Sequence, residues 1–264
     1  MKLDHPLKIF PTGMHPCSYL PGLIARNAVV DPDYEMTPEV YDYLIKNGFR
    51  RSGEQVYRPY CHTCEECVTT RIPVAEFKRS RSQKRNWNLN KDLTVKVNHD
   101  GFREEYLPLY QQYLISRHES KDYEGVEKFL VADWCDIQFI EFYVNEKLIG
   151  VAVVDAIKSG FSAIYTFFDP VEGKRRSLGV YAVLWQIEYA NEQKLEYIYP
   201  GFWIKDCRKM NYKTRFQPIE GLIKGNWVSL EKQAVVKNSV IKKPVSRVSA
   251  GESAGIKKHG EESG

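Results

Sequence analysis

The chain has 264 residues, 43% hydrophobic, 13% aromatic and 27% charged, an ordinary globular composition with length for one large domain or two small ones. Its apolar runs are short, Leu148 to Val154 being ended by Asp155, and Met1-Lys2-Leu3-Asp4-His5-Pro6 lacks the apolar core of a secretory signal, so membrane, fibrous and secreted classes are excluded and a cytoplasmic protein with no membrane partner is expected. The net charge is +4, yet residues 78–91 hold six cations and no acid, and residues 232–264 hold seven cations against three acids; charge so concentrated suits a polyanion such as nucleic acid, or else a solvated helix face and a basic tail.

In chain order, residues 8–92 read as a smaller module. Thr37 as N-cap and Pro38 at the first helical position open a helix with Val40, Tyr41, Leu44 and Ile45 on one face, and Gly48 ends it. Phe49 to Tyr57, with Ser52-Gly53-Glu54 in the middle, predicts a hairpin, and Val68 to Val74 a strand. Ser80-Arg81-Ser82-Gln83 is a capping box opening a helix to about Asn90.

Residues 93–231 read as a second module. A helix over about 102–117 precedes three β-rich runs, Gln138–Val144, Leu148–Ile157 and Phe161–Phe168, whose short polar links predict an antiparallel meander. A long helix follows from Ser177 to Asn191, then a strand at Glu196–Tyr199, a short helix around Cys207–Tyr212, and strands near 215–219 and 226–230. This order is similar to that of the acyl-CoA N-acyltransferase fold. The expected class is therefore α+β: an acyl-CoA N-acyltransferase-like mixed sheet with helices, preceded by a smaller cysteine-containing N-terminal module. Residues 232–264 lack aromatics and apolar periodicity, which predicts a disordered basic tail.

Three groups of residues could carry chemistry. Lys174, Arg175 and Arg176 precede Ser177-Leu178-Gly179 at the start of the long helix, where backbone N–H groups and positive charge could hold a donor phosphate; the alternative is a solvated turn. Tyr181 stands where an acyl-CoA loop has its last small residue. Cys61, Cys64 and Cys67 lie at two overlapping CxxC steps, with Cys17 as a fourth thiol; the spacing suits zinc or an iron–sulfur cluster, against four reduced thiols. Arg81, Lys84 and Arg85 share one helix face next to Lys78, Arg79 and Trp87, an arrangement suited to nucleic-acid phosphates and a stacked base. No HExxH, GxSxG or P-loop is present.

Several segments together carry a resemblance. Pro16-Cys17-Ser18-Tyr19-Leu20-Pro21-Gly22, Gly48-Phe49-Arg50-Arg51-Ser52-Gly53, Tyr57-Arg58-Pro59 and Arg79-Ser80-Arg81-Ser82-Gln83-Lys84-Arg85 resemble the N-terminal region of the arginyl-tRNA–protein transferases. Phe168-Asp169-Pro170, Trp185-Gln186-Ile187, Phe202-Trp203-Ile204, Lys209-Met210-x-Tyr212-Lys213 and Phe216-x-Pro218-x-Glu220 resemble the C-terminal region. Length and the cysteine spacing resemble the bacterial branch. The resemblance implies transfer of leucine from leucyl-tRNA to proteins with N-terminal Asp or Glu, feeding an N-end rule degradation pathway. No cofactor is required for such a transfer, and the zinc or iron–sulfur option at the cysteines rests on their spacing. Leu20, where some members have a further cysteine, and Pro200, within the last strand of the motif region, depart from the pattern.

The attacking N-terminal amine is substantially neutral near pH 7, so positioning and backbone oxyanion donors are expected to dominate over a strong base, and no catalytic residue is assigned. The acceptor carboxylate needs a cation; Arg26, Arg58 and Arg208 are the candidates in the resembling segments. Arginine transfer, a tRNA-binding protein without catalysis, and an acyl-CoA-dependent acetyltransferase are the competing readings.

Overall fold

The structure is a computed structural model and describes residues 6–118 and 125–230; the predicted tail at 232–264 lies outside them. The first strands are β1 (Ile9–Pro11), β2 (His15–Pro16), β3 (Ile24–Ala25) and β4 (Asn27–Val30). Helix α1 (Pro38–Lys46) starts where expected, the Thr37 side chain accepting from the Val40 amide at 3.3 Å. The hairpin β5 (Arg50–Ser52) and β6 (Gln55–Pro59) follows. These strands make a four-stranded antiparallel sheet ordered β1-β4-β6-β5, with β2 and β3 as a separate ribbon. Gly53 turns the hairpin at φ +57°, and its amide donates to the Phe129 carbonyl at 2.8 Å. A side chain there would meet the Lys128 carbonyl at 2.3 Å, so both conformation and space require glycine.

The remaining elements are β7 (Val68–Pro73), α2 (Arg81–Leu89), β8 (Thr94–Asn98), α3 (Tyr106–His118), α4 (Val126–Leu130), β9 (Asp136–Val144), β10 (Lys147–Ile157), β11 (Gly160–Phe168), α5 (Pro170–Arg176), α6 (Leu178–Glu192), β12 (Tyr197–Trp203), a 3-10 turn at Asn211–Arg215, β13 (Glu220–Ile223) and β14 (Asn226–Ser229). They build a mixed eight-stranded sheet ordered β14-β13-β7-β12-β11-β10-β9-β8. The β9-β10-β11 meander is antiparallel as expected, and β11 and β12 run parallel. Strand β7 sits between β12 and β13, so the large sheet takes strands from both sides of residue 92.

Alternation along β10 separates the two faces of this sheet. Ala152 and Val154 point into a cluster with Leu184 and Ile187 of α6, whereas Val151 and Val153 point into one with Tyr106, Leu109 and Leu114 of α3. Along β12, Ile198 joins the α6 cluster and Tyr199 a third cluster with Tyr41, Leu44 and Ile45 of α1. The sheet is thus covered by helices on both faces.

Strands β11 and β12 stay together for only three residue pairs, Gly160–Tyr197, Phe161–Ile198 and Ser162–Tyr199. Beyond them each strand is irregular. Val153 and Val154 pair with Tyr165 and Ala163, leaving Ile164 as an extra residue in β11. In β12, the step from Ile198 to Gly201 spans only Ile72 to Thr70 of β7, so Tyr199-Pro200 holds an extra residue. Pro200 has no N–H to donate and Gly201 takes φ +91°, so the sequence signal for a local break corresponds to a real bend. Residues 163–166 are half-buried although β11 is an interior strand, because a wedge opens beside them.

Candidate active site at the split in the large sheet

Two buried cations lie beside the wedge. Arg50 projects from β5; its Nη1 donates to the Tyr199 carbonyl at 2.9 Å and its Nη2 to the Ala163 carbonyl. One guanidinium thus ties β11 to β12 where they part. Gly201 faces it, a Cβ at that position falling 3.8 Å from Nε and Nη2. Lys213, from the 3-10 turn after β12, donates its Nζ to the Phe202 carbonyl at 2.7 Å and to Met210 Sδ at 3.4 Å. Burial first, then the charge of Arg50, push its ammonium down to about 7, with Cys207 acting in the opposite sense. Thr70 Oγ1 donates to the Gly201 carbonyl at 2.7 Å and fixes the other side of the bent strand.

A cleft of about 700 Å³ opens in front of these residues, between the small sheet and β7, β12 and β13. Tyr57 and Phe202 form its inner wall, with ring centroids 6.4 Å apart. Tyr57 is the register partner of Arg50, and Lys213 is bonded to the Phe202 carbonyl, so both cations neighbour residues of that wall without lining the cleft themselves. Burial raises the Tyr57 hydroxyl pKa, Arg50 opposing and Cys67 reinforcing the shift.

The four cysteines of the expected metal set, Cys17, Cys61, Cys64 and Cys67, all border this cleft. Burial, followed by the charges of Cys61, Cys17 and Cys64, pushes the Cys67 thiol up to about 12. The Cys17 sulfur accepts from the Leu20 amide at 3.4 Å, and the Cys61 thiol donates to the Arg26 carbonyl at 3.7 Å. Among the described residues no three His, Cys, Asp or Glu side chains converge as ligands of a metal ion. Cys67 feels the other three thiols, so the four are neighbours at the cleft, and no chemical step is drawn through a metal or cluster.

The expected donor-phosphate group needs correction. The stretch before the long helix is not a loop: Asp169 accepts from the Val171 and Glu172 amides and, with Pro170 at the first position, nucleates α5. Arg176 is buried and already engaged, donating to Asp92 at 2.8 and 2.7 Å and to Glu172 at 2.8 Å. It is a structural clamp and not a phosphate ligand. Arg175 pairs with Glu172 at 2.6 Å, and Lys174 is exposed. A Cβ on Gly179 would make an ordinary contact with the Phe168 ring at 3.5 Å.

Helix α2 carries the expected capping box, Gln83 Nε2 donating also to the Arg215 carbonyl at 3.0 Å. Asn86 and Asn90 donate to the Arg176 carbonyl at 2.8 and 3.0 Å and anchor α2 on the junction of α5 and α6. Lys78, Arg81, Lys84 and Arg85 remain exposed, in position for a polyanion. Arg79 is the exception: it lies 3.7 Å over the Trp87 ring and pairs with Glu188, so it fastens α2 to α6. Of the expected acceptor-binding arginines, Arg58 reaches the cleft, its guanidinium 5.0 Å over the Phe49 ring. Arg26 instead donates to the Thr12 carbonyl at 2.8 Å, and neither it nor the exposed Arg208 lines the cleft. Sequence reasoning missed Arg50 and Lys213 as site residues. Their signal was a charged residue inside an otherwise strand-like or aromatic segment, Phe49-Arg50-Arg51 and Tyr212-Lys213.

Comparison with known proteins defines the class. Residues 15–85 match the model of the arginine-tRNA-protein transferase N terminus, and residues 105–223 that of its C terminus. The chain therefore belongs to the arginine-tRNA-protein transferase family and is an aminoacyltransferase. It is 45% identical over 229 residues to an aspartate/glutamate leucyltransferase of Hahella chejuensis, a match covering 85% of this chain and 97% of that protein. Proteins of the same name from Pseudomonas fluorescens strains SBW25 and Pf0-1 are 48% and 47% identical over the same lengths. Among solved structures, L-PGS from Bacillus licheniformis aligns with a TM-score of 0.41 at 13% identity, covering 53% of this chain and 46% of that one. Among the described residues no helix is long and apolar enough to cross a membrane.

Proposed function

We propose that this chain transfers leucine from leucyl-tRNA to the N-terminal Asp or Glu of acceptor proteins, marking them for an N-end rule degradation pathway. The observation that carries the reading is near-full-length similarity, at 45 to 48% identity, to proteins named aspartate/glutamate leucyltransferase. The wedge between β11 and β12 supports it as the place for chemistry in a sheet whose element order is similar to that of the acyl-CoA N-acyltransferase fold.

In the reaction the neutral acceptor amine attacks the ester carbonyl of the leucyl group. The C–N bond forms, the C–O bond to the tRNA ribose breaks, and the amine proton ends on the ribose oxygen. The aminoacyl end enters the wedge, where residues 163–166 have left their pairing with β12 and their backbone amides can stabilise the oxyanion. The exposed cations Lys78, Arg81, Lys84 and Arg85 hold tRNA phosphates.

The test is a transfer assay with purified protein, leucyl- and arginyl-tRNA, and peptides beginning with Asp, Glu, Lys or Ala. Leucine should appear on the Asp and Glu peptides only. Arginine transfer without leucine transfer would overturn the donor specificity, and tRNA binding without transfer would return the chain to a binding role.

A further inference from the structure

Four cations are buried among the described residues: Arg50, Arg51, Arg176 and Lys213. Two are neutralised in place, Arg51 by Asp155 at 2.5 and 2.9 Å and Arg176 by Asp92 and Glu172. Arg50 and Lys213 are not. Their acceptors are main-chain carbonyls and one thioether, and each feels the other's charge. Holding two like charges out of water without an anion is costly, and such an arrangement persists where a ligand supplies the missing charge.

The ligand's chemistry follows from position. The two cations neighbour Tyr57 and Phe202, which line the cleft, and Arg50 bonds both strands at the wedge that would hold the leucyl carbonyl. The amine that attacks this carbonyl belongs to the acceptor's first residue, whose own side chain must then lie a few ångströms away. A carboxylate there meets two positive groups; a neutral amide leaves them unpaired. The tRNA phosphates are anions too, but exposed cations such as Lys78, Arg81, Lys84 and Arg85 meet them without any cost of burial, whereas Arg50 and Lys213 are buried.

We infer that Arg50 and Lys213 form the receptor for the side-chain carboxylate of the acceptor's N-terminal Asp or Glu. The inference rests on the transfer reading above. It displaces Arg26 and Arg208 from that role and leaves Arg58 at the mouth of the same cleft. Arg50, locked to both strands, supplies fixed charge. Lys213 keeps an ammonium hydrogen beyond its two bonded partners and a flexible stem, which accommodates both carboxylate lengths.

The experiment compares wild type, Lys213→Met and Lys213→Arg with saturating leucyl-tRNA and peptides identical except for a first residue of Asp, Glu, Asn or Gln. In Lys213→Met the KM for Asp and Glu peptides should rise about 100-fold, as expected when one partner of a buried charge pair is lost. The ratio of kcat/KM for acid over amide peptides should fall with it, and Lys213→Arg should recover most of that preference. An equal fall in kcat for all four peptides, or an unchanged preference for acid over amide, would overturn the inference while leaving the transfer reading intact. If wild type transfers leucine to none of them, it is the transfer reading that fails. Because Lys213→Met could fold poorly, the wild-type protein supplies a second measurement: amine acylation of Lys213 followed by mass spectrometry. The Asp peptide should slow labelling at least tenfold and the Asn peptide should not; equal labelling with both would also overturn the inference.

Discussion

At the residue scale, the partners of the buried charges decide how each behaves. Arg51 and Asp155 are fully enclosed, and Asp155 also accepts from the Tyr41 hydroxyl at 2.7 Å. Asp155→Asn leaves Arg51 charged, buried and unpaired, so thermal or urea unfolding should show a loss of about 3 to 5 kcal/mol. Lys213 behaves in the opposite way. Its pKa falls from 10.5 to about 7 on folding, so between these values the unfolded chain binds the extra proton and stability rises with pH. The cost of the buried ammonium is full below pH 7 and relieved as pH climbs towards 10.5. Urea titrations at pH 6.5 and 9.5 should therefore give wild type a gain on the order of 3 to 4 kcal/mol that Lys213→Met lacks. Equal pH dependence in the two proteins would show that Lys213 keeps its ordinary pKa. None of this was legible beforehand, because a single Arg or Lys in a strand-like segment does not say whether it meets a carboxylate or a carbonyl.

At the element scale, local chemistry was legible and its tertiary use was not. Thr37 before Pro38 and Ser80 before Gln83 specify helix starts through bonds within four residues, and both formed as read. The meander was equally clear, since period and turn residues lie in the strands themselves. The three basic residues before the long helix were misread for the opposite reason. Asp169 caps a separate short helix, α5, ahead of the long one, and Asp92, far away in sequence, captures Arg176. The exposed face of α2 keeps its reading. Replacing Arg81, Lys84 and Arg85 together by Ala should weaken tRNA binding and reduce its salt slope by about two to three units, without changing the peptide KM. An unchanged slope would make this a solvated face only. Ser80→Ala, by removing the cap, should lower stability by about 1 kcal/mol, measured by thermal unfolding.

At the scale of the whole molecule, function depends on a sheet assembled from both ends of the chain. Strand β7 closes one side of β12, and Arg50, delivered by the small sheet, bridges β12 to β11. The extra residues at Ile164 and at Tyr199-Pro200 then part the two strands beyond the Ser162–Tyr199 pair. Pro200 announced the bend in the sequence; the wedge itself needed the parallel neighbour, which only the fold supplies. Family membership was legible because it rests on many short segments in order, whereas the site arises where three of those segments, near 50, 163 and 201, meet in space. The central claim is that leucyl-tRNA is bound with its aminoacyl end in this wedge. Hydrogen–deuterium exchange with a leucyl-tRNA analogue carrying a stable amide at its 3′ end tests it most directly. The account predicts added protection in residues 163–168, in residues 199–203 and along α2. Protection confined to α2, with exchange at the wedge unchanged under saturating analogue, would contradict it.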